Sequence, residues 1–431
     1  MDNYLKVLMS YEFTRNVLLV LMTVIIDTLN DILTKYKLDI ENWFFNKFTK
    51  YNPVLNISVD LRVSDYKIAP VDTNIFPAGY NNFTEQSQIY ASRLLREYVV
   101  NYANCSKILI IAENHTRNLK YIDSLIVLKN IVNNAGFVVE VGICNINQNI
   151  ELISSTGRVI NCLCLTNDNG VLRAGCRFIP DLILVNNDMT SGIPEVLQGL
   201  KYQSIMPSLF LGWFNRSKSN HFSIYKKLSK EFCESFNIDP WLISAFFSSC
   251  SNICFFNSQG IDDIANEVDV VISKIRNKFQ LYSIKEQPYV FVKADNGTYG
   301  MGILVAYCGD DILMLNRKKR NKMKKIKDGN VVSSVIIQEG ITTREIFNGY
   351  VAEPLVYFIG HTPSCYLYRY HSVKDRFSNL NSVGCDFIDI SYKQQDILYW
   401  NIIGKIAVLA AAIEMHEISN VNVMEQNCLL S

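Results

Sequence analysis

The stretch Tyr289-Val-Phe-Val-Lys293-Ala-Asp295-Asn-Gly297-Thr298-Tyr299-Gly300-Met-Gly302-Ile-Leu-Val305 decides how the chain is read. A β-rich run carries a lysine near its end. It gives way to a loop with three glycines in six residues and resumes as a second β-rich run. Glycines let backbone N–H groups close on a phosphate and tolerate the positive φ angles of such a loop. Lys293 sets a fixed cation beside that anion. The spacing is not that of a Walker loop, since no Gly-Lys-Ser/Thr follows the glycines, nor of a helix-opening dinucleotide fingerprint. Strand, lysine, glycine loop and strand together read as a lid over the phosphates of a nucleotide.

The rest of the chain provides the body for such a lid. Its 431 residues, 49% hydrophobic and 19% charged, suffice for two or three lobes around a sizeable core. Lys+Arg 42 against Asp+Glu 41 gives no global field to gather nucleic acid or an anionic membrane, so small-molecule partners are expected. The apolar run Asn16–Ile26 is eleven residues long, whereas a membrane span needs about twenty. It lacks the basic start and the cleavage site of a signal peptide, so we expect a buried helix in a cytoplasmic protein. The twelve cysteines include no C-x-x-C pair, and reduced thiols, mostly buried, are expected. The basic segment Arg317–Lys327 reads as a solvated helix face rather than a nucleic-acid contact.

The order of elements predicts an α/β protein whose C-terminal half is α+β. Helices up to about residue 50 precede a strand at 56–62 and a long polar, aperiodic segment. Helix 84–100, the doubly apolar run Lys107-Ile-Leu-Ile-Ile-Ala112, helix 120–134 and strand 137–141 make a β-α-β unit. Further strands at 159–165 and 182–185 extend a parallel sheet. The chain divides into a substrate-binding region over 1–195, a mostly helical connection over 196–285 and a nucleotide-binding region over 286–431. In the last, strands at 289–295, 303–307, 312–316, 333–339, 352–359 and 366–371 are close enough in sequence to pair antiparallel. A final helix, Gln395–Met415, is apolar on nearly every face and is expected to be buried.

The polar clusters follow this order. Val335-Ile-Ile-Gln338-Glu339-Gly340 is a buried strand ending in a carboxamide and a carboxylate, suited to the edge of adenine. Glu353, Arg369, Arg376, Asn379 and Asn381 then group cations, which stabilise a transferring phosphoryl group, with oxygens able to hold Mg²⁺. In the N-terminal half, Arg62, Lys67, Asp72, Asn74, Asn81 and Asn82 offer cations for carboxylates and an acid for an ammonium, as an amino-acid substrate requires. Asn114 and Arg117 belong to a second polar cluster at the carboxyl end of a parallel strand, where open α/β sheets bind ligands.

In this order the motifs resemble the ATP-grasp superfamily, and in particular its glutathione-synthetase-like branch. With Asp60–Phe83, Glu113–Asn118, Val292–Gly302 and Gln338–Pro354 taken together, the chain resembles the proteobacterial ATP-grasp type of glutamate–cysteine ligase over about residues 50–410. The resemblance implies that Lys293, Gly297, Thr298, Tyr299, Gly300 and Gly302 contact the phosphates of ATP, with Gln338 and Glu339 near adenine. Lys293, Arg369 and Arg376 would act on the transferring group, and Glu353, Asn379 and Asn381 would hold Mg²⁺. It implies ligation of L-glutamate to L-cysteine through an acyl phosphate. One departure stands out: such enzymes usually finish with an acid followed by Glu-x-Asn, and no Glu-x-Asn lies between Asn381 and the final helix at Gln395. Another carboxylate–amine ligase, such as glutathione synthetase, and a nonenzymatic nucleotide-binding regulator are the alternatives.

Overall fold

The structure is a computed structural model and describes residues 25–114, 117–296, 302–323, 331–392 and 398–429. Most of the apolar run at 16–26, and Gly297, Thr298, Tyr299 and Gly300 of the glycine loop, lie outside the described residues.

Helix α1 (Lys37–Lys50) is followed by a hairpin of β1 (Asn56–Val63) and β2 (Ile68–Asn74), then by α2 (Glu85–Tyr102). A wound unit comes next, with β3 (Lys107–Ala112), α3 (Leu119–Asn134), β4 (Val138–Ile143), β5 (Ile150–Ile153), β6 (Val159–Asp168), β7 (Val171–Ala174), β8 (Leu182–Asn186) and β9 (Ser204–Met206). Helix α4 (Lys218–Phe236), β10 (Phe247–Ser251) and α5 (Ile261–Leu281) lead into β11 (Val290–Ala294) and β12 (Ile303–Ala306). Helix α6 (Arg317–Met323), β13 (Ser334–Glu339), β14 (Ile346–Phe347), β15 (Tyr350–Ile359), β16 (Thr362–His371), β17 (Cys385–Asp389) and α7 (Leu398–Leu429) complete the order.

The strands form three sheets. The wound unit gives the order β5-β6-β4-β3-β8-β9, parallel from β6 to β9, as the β-α-β pattern predicts. A small antiparallel sheet has the order β10-β13-β11-β12. The central sheet runs β17-β16-β15-β1-β2, all antiparallel, so the N-terminal hairpin sits among strands from the far end of the chain. This sheet crosses the division at residue 195.

Two local expectations differ from the structure. The polar segment after β1 holds β2, because pairing with β1 outweighs its weak pattern. Pro70 is tolerated there because β2 is an edge strand. The expected strand at 312–316 is instead a helical turn, Asp310–Leu313. Cys250 lies on β10, and every described cysteine is free, as expected of reduced thiols.

Packing explains the apolar C-terminal helix. The stretch Leu398–Ile418 is long and apolar enough to cross a membrane, yet it is mostly buried within the protein. Ile402, Ile403, Ile406 and Val408 of α7 meet Ile57, Val59 and Leu61 of β1, Val356 and Phe358 of β15, and Tyr225 and Phe232 of α4 in one core. A polar knot ties α7 to the start of α4. Arg216 Nε donates to Glu414 Oε2 at 2.8 Å, and His221 Nδ1 pairs with Glu414 Oε1. Arg216 Nη1 continues to the carbonyl of Thr73 on β2 at 2.7 Å. Burial works against ionising Glu414, but Arg216 and His221 outweigh it and hold the carboxyl down to about 2.

Because the folded-state value lies below the usual one, this carboxylate stabilises the fold above about pH 4.5, and the contribution is lost as pH falls toward 2. Glu414→Gln leaves Arg216 buried without its carboxylate, and the expected loss is about 3–5 kcal/mol at neutral pH. Urea unfolding at pH 7 and pH 4 checks this. The variant should have the lower midpoint at pH 7 and a shallower decline with acid, whereas coincident midpoints would refute it.

Candidate active site

Strand β1 reads Asn56-Ile-Ser-Val-Asp60-Leu-Arg62-Val, and its side chains alternate between two environments. Ile57, Val59, Leu61 and Val63 enter the core with α7. Asn56, Ser58, Asp60 and Arg62 share the opposite face, and they too are buried. The pairing register places Asp72 of β2 across from Asp60, and Asn74 across from Ser58. On the other side Asp60 faces Leu355, which brings Glu353 of β15 toward Arg62, while Arg369 of β16 stands across from Glu353.

These residues form a continuous ionic array. Arg369 Nη1 lies 2.8 Å from Asp60 Oδ2 and 2.6 Å from Glu353 Oε1. The second Glu353 oxygen receives Arg62 Nε at 2.6 Å, and Arg62 Nη2 donates to the Ser378 carbonyl at 2.6 Å. Lys218 Nζ lies 2.5 Å from Asp72. Burial raises the Asp60 carboxyl, Arg369 opposes the rise, and the carboxylates of Asp72 and Glu353 add to it. Burial also works against Asp72, but Lys218 and Lys293 hold it below the usual range. Asp60 Oδ1, Arg62 Nη1 and Arg369 Nε are buried with no hydrogen-bond partner within the protein.

The small sheet supplies the facing wall. Lys293, near the end of β11, donates to Gln338 Oε1 at 2.7 Å and to the Val71 carbonyl at 3.3 Å. Burial lowers its ammonium to about 8, with Asp72 acting against the fall and Lys218 adding to it. Glu339 accepts from Lys67 Nζ through both oxygens at 3.0 Å, from Trp241 Nε1 at 3.1 Å and from the Phe246 amide at 2.8 Å. Gly340 follows because a Cβ there would stand 2.2 Å from the Tyr289 ring.

Two adjoining cavities open on these groups. The smaller, an open cleft of about 640 Å³, is lined by Asp60, Arg62, Asp72, Lys218, Lys293, Glu339, Ile341, Glu353, Arg369, Asn379 and Asn381, among others. The larger, about 1470 Å³, takes in Asn74, Asn81 and Asn82, and Glu113, Asn186 and Asp188 at the carboxyl ends of the parallel strands. Asp60, Asp72, Arg369 and Asn381 line both.

Most of the residues singled out in the sequence therefore converge, and several do not. Lys67 is wholly buried against Glu339 and lines neither cavity, so it braces the two sheets instead of facing a substrate. Arg376 is paired with Glu286 at 2.7 Å and Asp65 at 3.3 Å, away from both cavities. Asn114 and Arg117 are exposed, and Asn118 and Lys120 line the larger cavity in their place. Gln338 lies beneath Lys293 and lines neither cavity. Lys218 and Trp213 were not anticipated, because a lysine at a helix start in a connecting region has no local signature. Asp60 carried a signal in the alternation of β1, but that pattern equally describes a strand with one solvated face.

The GshA family profile, glutamate-cysteine ligase, matches residues 30–415. The crystal structure of a Methylobacillus flagellatus KT protein, assigned provisionally as a gamma-glutamylcysteine synthetase, superposes with a TM-score of 0.85 at 35% identity. The match covers 92% of this chain and 97% of that one. D-alanyl-alanine synthetase A of Vibrio cholerae O1 biovar eltor gives a TM-score of 0.35 at 12% identity, covering 71% of this chain and 81% of that one. A glutathione synthetase-like effector of Globodera pallida gives 0.31 at 10% identity, covering 82% and 76%. Likenesses this loose carry no argument. No curated protein sequence matches the chain. The extent of the family match and the close structural likeness lead to one assignment: this chain belongs to the glutamate-cysteine ligase family.

Proposed function

We propose that this chain joins the γ-carboxylate of L-glutamate to the amine of L-cysteine at the expense of ATP, using an ATP-grasp arrangement. One observation carries the reading. A cleft between the small and central sheets is lined by Lys293, Arg62 and Arg369 together with Asp60 and Asp72, and it adjoins a larger polar cavity on the parallel sheet. Nucleotide phosphates suit the first, and amino acids suit the second.

The chemistry follows from what a carboxylate lacks. It is a poor electrophile, so a γ-carboxylate oxygen first attacks the γ-phosphorus of ATP, the bond to the bridging oxygen breaks, and ADP departs. The amine of cysteine, having lost a proton, then attacks the acyl carbon, and the C–O bond to phosphate breaks to release inorganic phosphate. Lys293 and Lys218 place two cations at the phosphate end, where charge spreads during transfer. Arg369, held between Asp60 and Glu353, keeps a fixed guanidinium where the two cavities meet. Arg62, with Nη1 unpartnered, offers a further donor to an anion in the smaller cleft. The glycine loop would close over the intermediate and exclude water.

The oxygen donors fit a magnesium ion, and the geometry favours Asp60, Asp72 and Asn74. Asp60 has a buried oxygen without a partner, and Asp72-Thr73-Asn74 presents acid and amide at i, i+2 on one face of β2. On this reading the acid-x-Asn that is missing between Asn381 and the final helix stands at the other end of the chain, brought in by the β1–β15 pairing. Glu353 suits the ion less, because each of its oxygens already lies 2.6 Å from a guanidinium. Asn379 and Asn381 hydrogen-bond each other, at 3.2 and 3.1 Å. Among the described residues no group of three or more His, Cys, Asp or Glu is placed to hold a metal, so phosphate oxygens would have to complete the shell. Bound there, Mg²⁺ would neutralise charge on the phosphates. A cytoplasmic site of action, where ATP is abundant and thiols stay reduced, is supported by the free cysteines, Cys176 and Cys308 being exposed.

ADP release with MgATP tests the reaction. It should require L-glutamate and L-cysteine together, and Lys293→Ala should lower it by about two orders of magnitude. Since the Lys293 ammonium is charged only below about 8, kcat/KM for ATP should fall as pH rises through that value. A flat alkaline limb, or turnover only with γ-glutamylcysteine and glycine, would overturn the respective assignments.

For the metal, Asp72→Asn should raise the Mg²⁺ concentration needed for half-maximal turnover by about tenfold. It should also weaken Mn²⁺ binding to the ADP complex, followed by electron paramagnetic resonance. Glu353→Gln should leave the Mn²⁺ signal in place, and the reverse ranking would contradict the assignment.

A further inference from the structure

Lys218 and Lys293 approach the same cleft from different bodies. Lys218 opens α4, whose Ile224, Tyr225, Leu228 and Phe232 pack into the central core beside α7. Lys293 is on β11, whose Val290, Val292 and Ala294 pack into the separate core of the small sheet. Two like charges carried by different cores have no inherent reason to keep a common spacing, and each repels the other.

Asp295 bridges the two. It stands two residues beyond Lys293, at the foot of the glycine loop, and is 5% exposed. Its carboxylate accepts from the Ser219 amide at 2.8 Å and from Ser219 Oγ at 2.6 Å. Its carbonyl accepts from the Lys218 amide at 2.8 Å, and its own amide donates to the Ser334 carbonyl at 3.1 Å. The end of β11 is thereby fastened both to β13 and to the first turn of α4. Lys218 leaves that turn directly for Asp72, passing 4.5 Å from the centre of the Trp213 ring.

We propose that Asp295 is a positioning residue for the nucleotide, locking Lys218 and Lys293 into one cation pair that faces Asp72 and fixing the foot of the glycine loop to the body of the protein. It touches no substrate. Its effect is to make the two cations arrive as a unit, so that phosphate binding does not have to order one core against the other. The inference rests on the nucleotide reading of the smaller cleft, and not on the identity of the amino acids.

The test compares Asp295→Ala, Asp295→Asn and Ser219→Ala in the full-length protein. Asp295→Ala should lower kcat/KM for ATP and weaken ADP binding by calorimetry, each by about tenfold, and leave KM for glutamate and cysteine unchanged. Asp295→Asn loses the charge but can still accept from the Ser219 amide, and it should remain close to wild type. Ser219→Ala, which removes one bond and no charge, should fall between them and carries the comparison if Asp295→Ala does not fold. Equal damage in the Asn and Ala variants or a parallel rise in the amino-acid KM values would overturn the proposal. Wild-type protein that binds ADP but releases none with glutamate and cysteine would sink the ligase reading, while the ADP affinities would still judge Asp295.

Discussion

Arg369, clasped between Asp60 and Glu353, is the interaction on which the rest of the site depends. A guanidinium that is 6% exposed on the central sheet needs both carboxylates. Removing either would leave charge stranded, at a cost of about 3–5 kcal/mol. Replacing the whole array with aliphatic residues would satisfy the same sheet at lower electrostatic cost, so stability alone does not account for it. The array holds charges of both signs, already desolvated, where two cavities meet. In the proposed reaction, fields there would act on developing phosphate charge with little screening.

That arrangement exists because β1 and β2 enter a sheet otherwise built from strands beyond residue 345. Strand β1 is the middle layer of a sandwich. Its odd-numbered side chains join α7 and α4 in the core, and Ser58, Asp60 and Arg62 line the two cavities. The same hairpin reaches the small sheet through Lys67 and Glu339 and reaches α7 through the Thr73 carbonyl, Arg216 and Glu414. The small sheet, the larger cavity and the structural core are thus joined through one short stretch of backbone. Small shifts of β2 would be felt at both ends of the reaction.

The sequence made legible what is encoded locally. The strand–lysine–glycine–strand pattern placed Lys293, and continuous apolar runs placed β3 and β8, because neither signal needs a distant partner. What remained hidden lies in long-range pairing. Lys67 reads as a free cation until β2 is folded against Glu339, 272 positions away. Arg376 does so until Glu286 is beside it, 90 positions away. Glu353 reads as a metal ligand until two arginines are found on it. Asp72 and Asn74 read as part of an aperiodic polar segment until pairing through β1 carries β2 into the central sheet. Lys218 had no signal, since a lysine near the start of an amphipathic helix is an ordinary surface residue.

The central claim is that phosphate is transferred to the γ-carboxylate of glutamate in the cleft between the small and central sheets. Glutamate labelled with ¹⁸O in its γ-carboxylate, supplied with MgATP and cysteine, tests it directly. If an acyl phosphate forms, one labelled oxygen per turnover must appear in the released inorganic phosphate, read by mass spectrometry or by the isotope shift of the ³¹P resonance. Product formed with wholly unlabelled phosphate would contradict the account, whatever the enzyme's rate.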